Sequence, residues 1–103
     1  MSSTLEVLES LQYQGVDEII AYSITTTKWV SSPTSPTVVA YDESTMADVT
    51  TTVFPVNSPS VSGDVISLSV LKSLTKGHTY RIEVKFVVGT STYECHFRVK
   101  AVK

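Results

Sequence analysis

Residues 80–101 alternate apolar and polar side chains with a single interruption. Tyr80, Ile82, Val84, Phe86 and Val88 interleave with Arg81, Glu83 and Lys85; beyond Gly89, Tyr93, Cys95, Phe97, Val99 and Ala101 interleave with Glu94, His96, Arg98 and Lys100. A period of two sends alternate side chains to opposite faces, so each run reads as a strand with one buried and one wet face. Gly89-Thr90 sits where a two-residue type II′ turn would place its glycine first. Folding about that turn sets Val88 opposite Ser91, Phe86 opposite Tyr93, Val84 opposite Cys95 and Ile82 opposite Phe97. The outer face then matches Lys85 to Glu94 and Glu83 to His96. Slipping by one residue would turn the apolar set of one strand toward water, so the register is strongly specified.

The rest of the chain follows the same idiom. Ile20, Tyr22 and Ile24 alternate within residues 19–25, the first strand. Residues 37–41 form the second, with Val39 and Tyr41 inward. Residues 48–53 form the third, with Val49, Thr51 and Val53 on one face. Thr-rich segments such as the third suit a sheet better than a helix interior. Residues 65–70 supply Ile66, Leu68 and Val70 to the core, and Leu71 and Leu74 close it at the following bend. Two turn-rich stretches separate these strands, SSPTSP at residues 31–36 and NSPSVSGD at residues 57–64. The prolines of the first cannot donate to a ladder and bar it from a central strand. Gly63 supplies a positive φ in the second. Short strands between Ser/Pro/Gly turns predict an all-β antiparallel sandwich of about seven strands. Trp29, just beyond the first strand, reads as a plug for one end of the core or as an exposed platform for a carbohydrate or partner.

Residues 1–15 stand apart, and residues 16–103 form the sandwich domain. Leu5, Leu8 and Leu11 are spaced to line one short helical face, yet residues 4–8 could equally pair as a strand. The segment is an arm that docks on another subunit, an ordinary first strand or a loose tail; as an arm, its three leucines are the candidate interface.

At 103 residues, 42% of them hydrophobic, the chain supports one folded core. Eight basic and ten acidic residues give a net charge of −2, which offers no broad attraction to nucleic acid or to an anionic membrane. Arg98, Lys100 and Lys103 read as a solvated face rather than a phosphate track. One cysteine cannot close an internal disulfide, which fits a reducing cytoplasm. No secretory signal is expected from MSSTLEVLES, and no apolar run reaches the roughly 20 residues of a spanning helix.

Chemistry is hard to assemble from these residues. His78 lies in a turn and His96 on the outer face, where Glu83 would pair with it; the two are not spaced as metal ligands. Cys95 points inward, away from the exposed electropositive setting that activates a thiol. The serines occur in no nucleophile elbow. Asp42, Glu43 and Asp48 could be imagined as a carboxylate pair or as calcium ligands, but in a polar loop they read as solubilising. No enzyme activity, metal or cofactor is expected.

One corner carries more information. Leu71-x-x-Leu74-Thr75-x-Gly77-x-x-Tyr80 resembles the corner of immunoglobulin-like and fibronectin III-like domains, where a leucine plugs the core and a tyrosine bonds back to upstream backbone. By that resemblance Leu74, Gly77, Tyr80 and Trp29 are the structural core and corner residues. Four stretches in order broaden the likeness: DEIIAYSI leading to Trp29, DVTTTV at residues 48–53, VSGDVI at residues 61–66, and residues 74–86 with their hairpin partner. Together they resemble small structural proteins of tailed bacteriophages and prophages encoded near head and tail genes. The resemblance implies a non-enzymatic virion component assembled in the host cytoplasm, a capsid decoration or a neck, tail or fibre accessory protein. It further implies contacts with other virion proteins, homo-oligomers in the particle, and neither nucleic acid nor membrane as partner. A module binding a cell-surface glycan or receptor is the alternative, and it requires Trp29 or Tyr13 to face solvent.

Overall fold

A computed structural model describes residues 11–26 and 32–103, and residues 3–6 by their backbone. Trp29 and Leu8 lie outside the described residues. Nine strands and one helical turn are present among the described residues: β1 (Ser3–Glu6), β2 (Gln12–Gly15), β3 (Ile20–Thr25), β4 (Thr34–Asp42), β5 (Ala47–Asp48), α1 (Thr50–Val53), β6 (Ser60–Ser62), β7 (Val65–Leu71), β8 (Thr79–Val88) and β9 (Ser91–Val102). They make an all-β architecture of two sheets. The larger runs β1-β9-β8-β4-β5, with β2 also paired to β9; the smaller runs β3-β7-β6.

The β8–β9 hairpin adopts the register read from the alternation: Val88 faces Ser91, Phe86 faces Tyr93, Val84 faces Cys95, Ile82 faces Phe97, Lys85 faces Glu94 and Glu83 faces His96. Gly89 opens its turn at φ +60°, a conformation that costs glycine nothing. The inward set of both strands forms most of the core with Ile24, Val38, Ala40, Val53, Phe54, Ile66, Leu68, Leu71 and Leu74. Phe86 stacks on Tyr93 within the hairpin, and Phe97 meets Tyr22 of the smaller sheet at 5.2 Å between ring centroids.

Four expectations are corrected by tertiary pairing. In β4 the buried pair is Val38 and Ala40, not Val39 and Tyr41. Val38 lies opposite Val84 and Ala40 opposite Ile82, and residues directly opposite share a face, so the hairpin dictates the parity of β4. Residues 34–36 belong to β4 despite Pro36. The register shifts between Thr34 and Thr37, and Ser35 takes φ +50°, so the proline sits in a bulge where no ladder donor is needed.

In β7 the alternation holds for Ile66 and Leu68, then fails: Val70 is 37% exposed and Leu71 is buried. The β3–β7 register shifts between Ala21 and Ser23, setting the extra residue in β7; that bulge turns Val70 outward and Leu71 inward.

Residues 49–53 do not continue as a strand; Asp48 is the last residue of the short β5. Asp48 Oδ1 accepts from the Thr50 backbone N–H at 3.0 Å and from its hydroxyl at 2.6 Å, and α1 follows. Such side-chain bonds to nearby backbone offer Thr-rich sequence an alternative to a ladder. Thr50 Oγ1 also accepts from the Ala40 N–H at 2.9 Å, fixing α1 to β4. Val53 and Phe54 are thereby buried against the core.

The N-terminal segment lies along the domain as strand. β1 and β2 both run parallel to β9, with Leu5 opposite Cys95 and Tyr13 opposite Lys100. Beyond the broad plan of about seven strands, the additions are short: the two-residue β5, and β6 within residues 57–64 read as turn.

Candidate functional site

The corner that precedes β8 is built from its own sequence. The Thr75 N–H donates to Tyr80 Oη at 2.7 Å, Leu74 is buried beneath, and Gly77 takes φ +85°. Gly77 N–H also donates to the Ala101 carbonyl at 3.0 Å, so the corner is tied to the end of β9. His78 and Asp42 complete it. His78 Nδ1 donates to Asp42 Oδ2 at 2.6 Å, and the other carboxylate oxygen accepts from the Ser44 N–H at 2.9 Å. The His78 ring stacks on Tyr80. Asp42 is buried, against its reading as a solubilising loop residue, because β4 extends to it and the turn after β4 folds back over its carboxylate. An imidazole held by a buried carboxylate is oriented. Here the pair joins the end of β4 to the loop before β8, which is a structural use.

The other two acids go elsewhere. Glu43 Oε1 accepts from Arg98 Nε at 3.0 Å and from an Arg98 terminal nitrogen at 2.8 Å, while Asp48 caps Thr50. The two Thr50 bonds, the hydroxyl's first, hold the Asp48 carboxyl below its usual range. Among the described residues no three His, Cys, Asp or Glu side chains converge as a metal site would require.

His96 is corrected. Its backbone faces Glu83 as expected, but the residue is only 8% exposed. β8 flanks it on one side and β1 on the other, with Glu6 as its partner there. An Arg81 terminal nitrogen donates to His96 Nδ1 at 3.5 Å, a long contact. Arg81 Nε lies 3.0 Å from Glu83 Oε2, though out of line for a hydrogen bond. With Lys85–Glu94 at 3.5 Å and Arg98–Glu43, the outer face of the larger sheet carries interleaved opposite charges. Exposed pairs of this kind contribute little stability, yet leave no single-sign surface. Cys95 is buried in the core, and burial pushes its thiol up to about 12.

Gln14 is the side chain that sequence reasoning missed. It is fully buried at the edge between the sheets. Its amide nitrogen donates to the Leu71 carbonyl at 2.8 Å and to the Glu18 carbonyl at 2.9 Å, and its oxygen accepts from Tyr22 Oη at 3.0 Å. The Gly15 N–H donates to Glu18 Oε1 at 2.6 Å, closing the turn that carries the chain from β2 to β3. Burial, and then the Glu18 carboxylate, raise the Tyr22 hydroxyl above its ordinary value. A glutamine between Tyr13 and Gly15 shows no periodicity; the only sequence hint is that a polar residue stands beside the break at Gly15.

Of the candidate arm residues, Leu5 is known by its place in β1, Leu11 is half-buried, and Leu8 falls outside the described residues. Tyr13 is 63% exposed, on the outer side of β2 beside Lys100. Comparison with protein-family models, with curated proteins and with solved structures finds no match.

Proposed function

We propose that this chain is a non-enzymatic structural component of a tailed-phage virion, a capsid decoration or head/tail accessory protein that works through contacts with other virion proteins. The observation that carries the reading is the ordered resemblance of four stretches, DEIIAYSI with Trp29, DVTTTV, VSGDVI and residues 74–86, to such proteins. An immunoglobulin-like arrangement is part of the proposal. The Thr75–Tyr80 bond beside buried Leu74 supports it, as does the sheet order, in which β3-β7-β6 opposes β5-β4-β8-β9 and the N-terminal strands lie along β9. The groups with chemical potential have structural work: Asp42 holds His78, Asp48 holds Thr50, and Cys95 packs in the core. Sheet edges and outer faces then serve as contact surfaces.

The test is compositional. Particles from a producing strain are purified and analysed by mass spectrometry, alongside particles made without the gene. The chain is expected at a fixed ratio to the major shell or tail protein. Its absence from purified particles, with no change in their stability or assembly on deletion, would overturn the proposal.

A second reading is favoured by the exposure of Tyr13. Beside Lys100 it offers a ring on which a sugar of a cell-surface glycan could stack. Binding on a glycan array that is lost in Tyr13→Ala would support that reading over the first.

A further inference from the structure

The two sheets expose four edges among the described residues, and three of them are built in ways that discourage pairing. β5 is two residues long, covers only Tyr41 and Asp42 of β4 and runs into α1. Along the rest of that side of β4, Asn57 bonds the Val38 carbonyl, Thr50 and Val49 bond Ala40, and Pro36 interrupts the edge. β6 is three residues long, between Pro59 and the Gly63 turn. The β1/β2 edge is broken: from Ser3 to Gln12 the chain advances nine positions while its partners on β9, Tyr93 to Val99, advance six. Short strands, prolines and interruptions are the usual means of blunting an edge.

β3 has none of these. It is six residues long, pairs among the described residues with β7 alone, and reads Ile-Ala-Tyr-Ser-Ile-Thr, with no charge and no proline. The bulge in its ladder falls in β7, so β3 itself is continuous. Its inward side chains Ile20 and Tyr22 remain half-exposed, while the inward Ile66 and Leu71 of the neighbouring strand are fully buried. Next to it on the outer side lie Ile19, 58% exposed, and Val70, the cross-strand partner of Ala21.

We propose that the free edge of β3 binds the same edge of a second copy of this chain, giving a two-fold dimer with one continuous six-stranded sheet. Self-pairing fits the strand's chemistry. In the antiparallel register centred on Tyr22, Ile20 meets Ile24 of the other copy and Ala21 meets Ser23. Inward side chains thus stay inward and outward ones outward, as the pleat demands. The uncharged strand meets its own copy with nothing to repel it, and an edge rich in neither acid nor base offers no charge pairing to a foreign partner. Ile19 packs on Thr25 of the second copy. The proposal stands whether or not the chain is a virion component.

Sedimentation equilibrium of the purified protein, from about 1 μM to about 1 mM, tests it. A monomer–dimer transition is expected, together with slowed hydrogen exchange at β3 amides at the upper end. Ala21 and Ser23 are both exposed, so changing them leaves the core intact. The A21K/S23K variant places like charges opposite each other twice and should raise the midpoint about tenfold or more. A21K/S23E places opposite charges there and should return the midpoint toward that of the parent. A monomer throughout overturns the proposal, as does a dimer indifferent to A21K/S23K. Equal weakening by A21K/S23E and A21K/S23K overturns the two-fold register. Failure here leaves particle composition, and so the virion reading, unaffected.

Discussion

The Gln14 side-chain amide donates to the Leu71 carbonyl at 2.8 Å, joining the strand edge of one sheet to the last residue of a strand in the other. Both groups are buried, so water cannot replace either partner. The same side chain also satisfies Glu18 and Tyr22. Gln14→Ala therefore deprives the buried Leu71 carbonyl of this partner, while the more exposed Glu18 carbonyl and Tyr22 hydroxyl lose a bond that water can replace. A loss of about 1–3 kcal/mol in urea unfolding is expected. Tyr22→Phe removes one of the bonds and should cost about 1 kcal/mol.

The Tyr80 hydroxyl accepts from Thr75 N–H at the corner. Tyr80→Phe keeps the ring and deletes that acceptor, leaving a partly buried N–H unpaired. A loss of about 1–2 kcal/mol is expected by thermal or urea unfolding, with the sheet spectrum unchanged. A variant as stable as the parent would show that the corner is held by Leu74 packing alone.

Cys95 titrates at about 12 in the fold, against an ordinary 9.0, because burial penalises the thiolate. Between those values the unfolded chain has lost the proton and the folded chain has kept it. Stability is therefore complete below about pH 9 and falls as pH rises toward 12, by up to about 1.4 kcal/mol per pH unit from this group. Urea midpoints measured from pH 8 upward check the slope, and Cys95→Ala should flatten it. At pH 8 the native thiol should also resist iodoacetamide and react once denatured.

Asp48 is exposed, and its carboxyl is held low by the Thr50 hydroxyl and N–H. The folded state thus favours the ionised form. The resulting stability is present above the ordinary carboxylate range and is lost as pH falls through it. Asp48→Ala should lower the unfolding midpoint at pH 7, and the gap to the parent should narrow in acid. A constant gap would mean that the bonds to Thr50 do not depend on charge.

Legibility in the sequence tracks the range of the forces involved. The β8–β9 hairpin was readable because a two-residue turn and strict alternation specify its pairs locally. The sides of Val38 and Val39 were not readable, because strand β4 takes its parity from Ile82 and Val84, more than forty residues away. Val70 was misplaced because a bulge depends on the partner strand β3. Thr51 and Val53 misled because threonine's sheet preference is weaker here than the bonds from Thr50 to Asp48 and to Ala40. Asp42 and Gln14 carried no local sign of burial, since each takes one of its partners from far along the chain, His78 for one and Leu71 for the other.

By itself the sequence determined the strand-forming character, the terminal hairpin with its register, and the residues of the Leu74–Tyr80 corner, all consequences of side-chain period and turn chemistry within a few residues. Tertiary structure decided which faces of β4 and β7 are buried, where the N-terminal strands lie and how Gln14 ties one sheet to the other. Those outcomes depend on free energies of burial and hydrogen bonding between segments far apart in the chain, and such terms exist only once the segments have met.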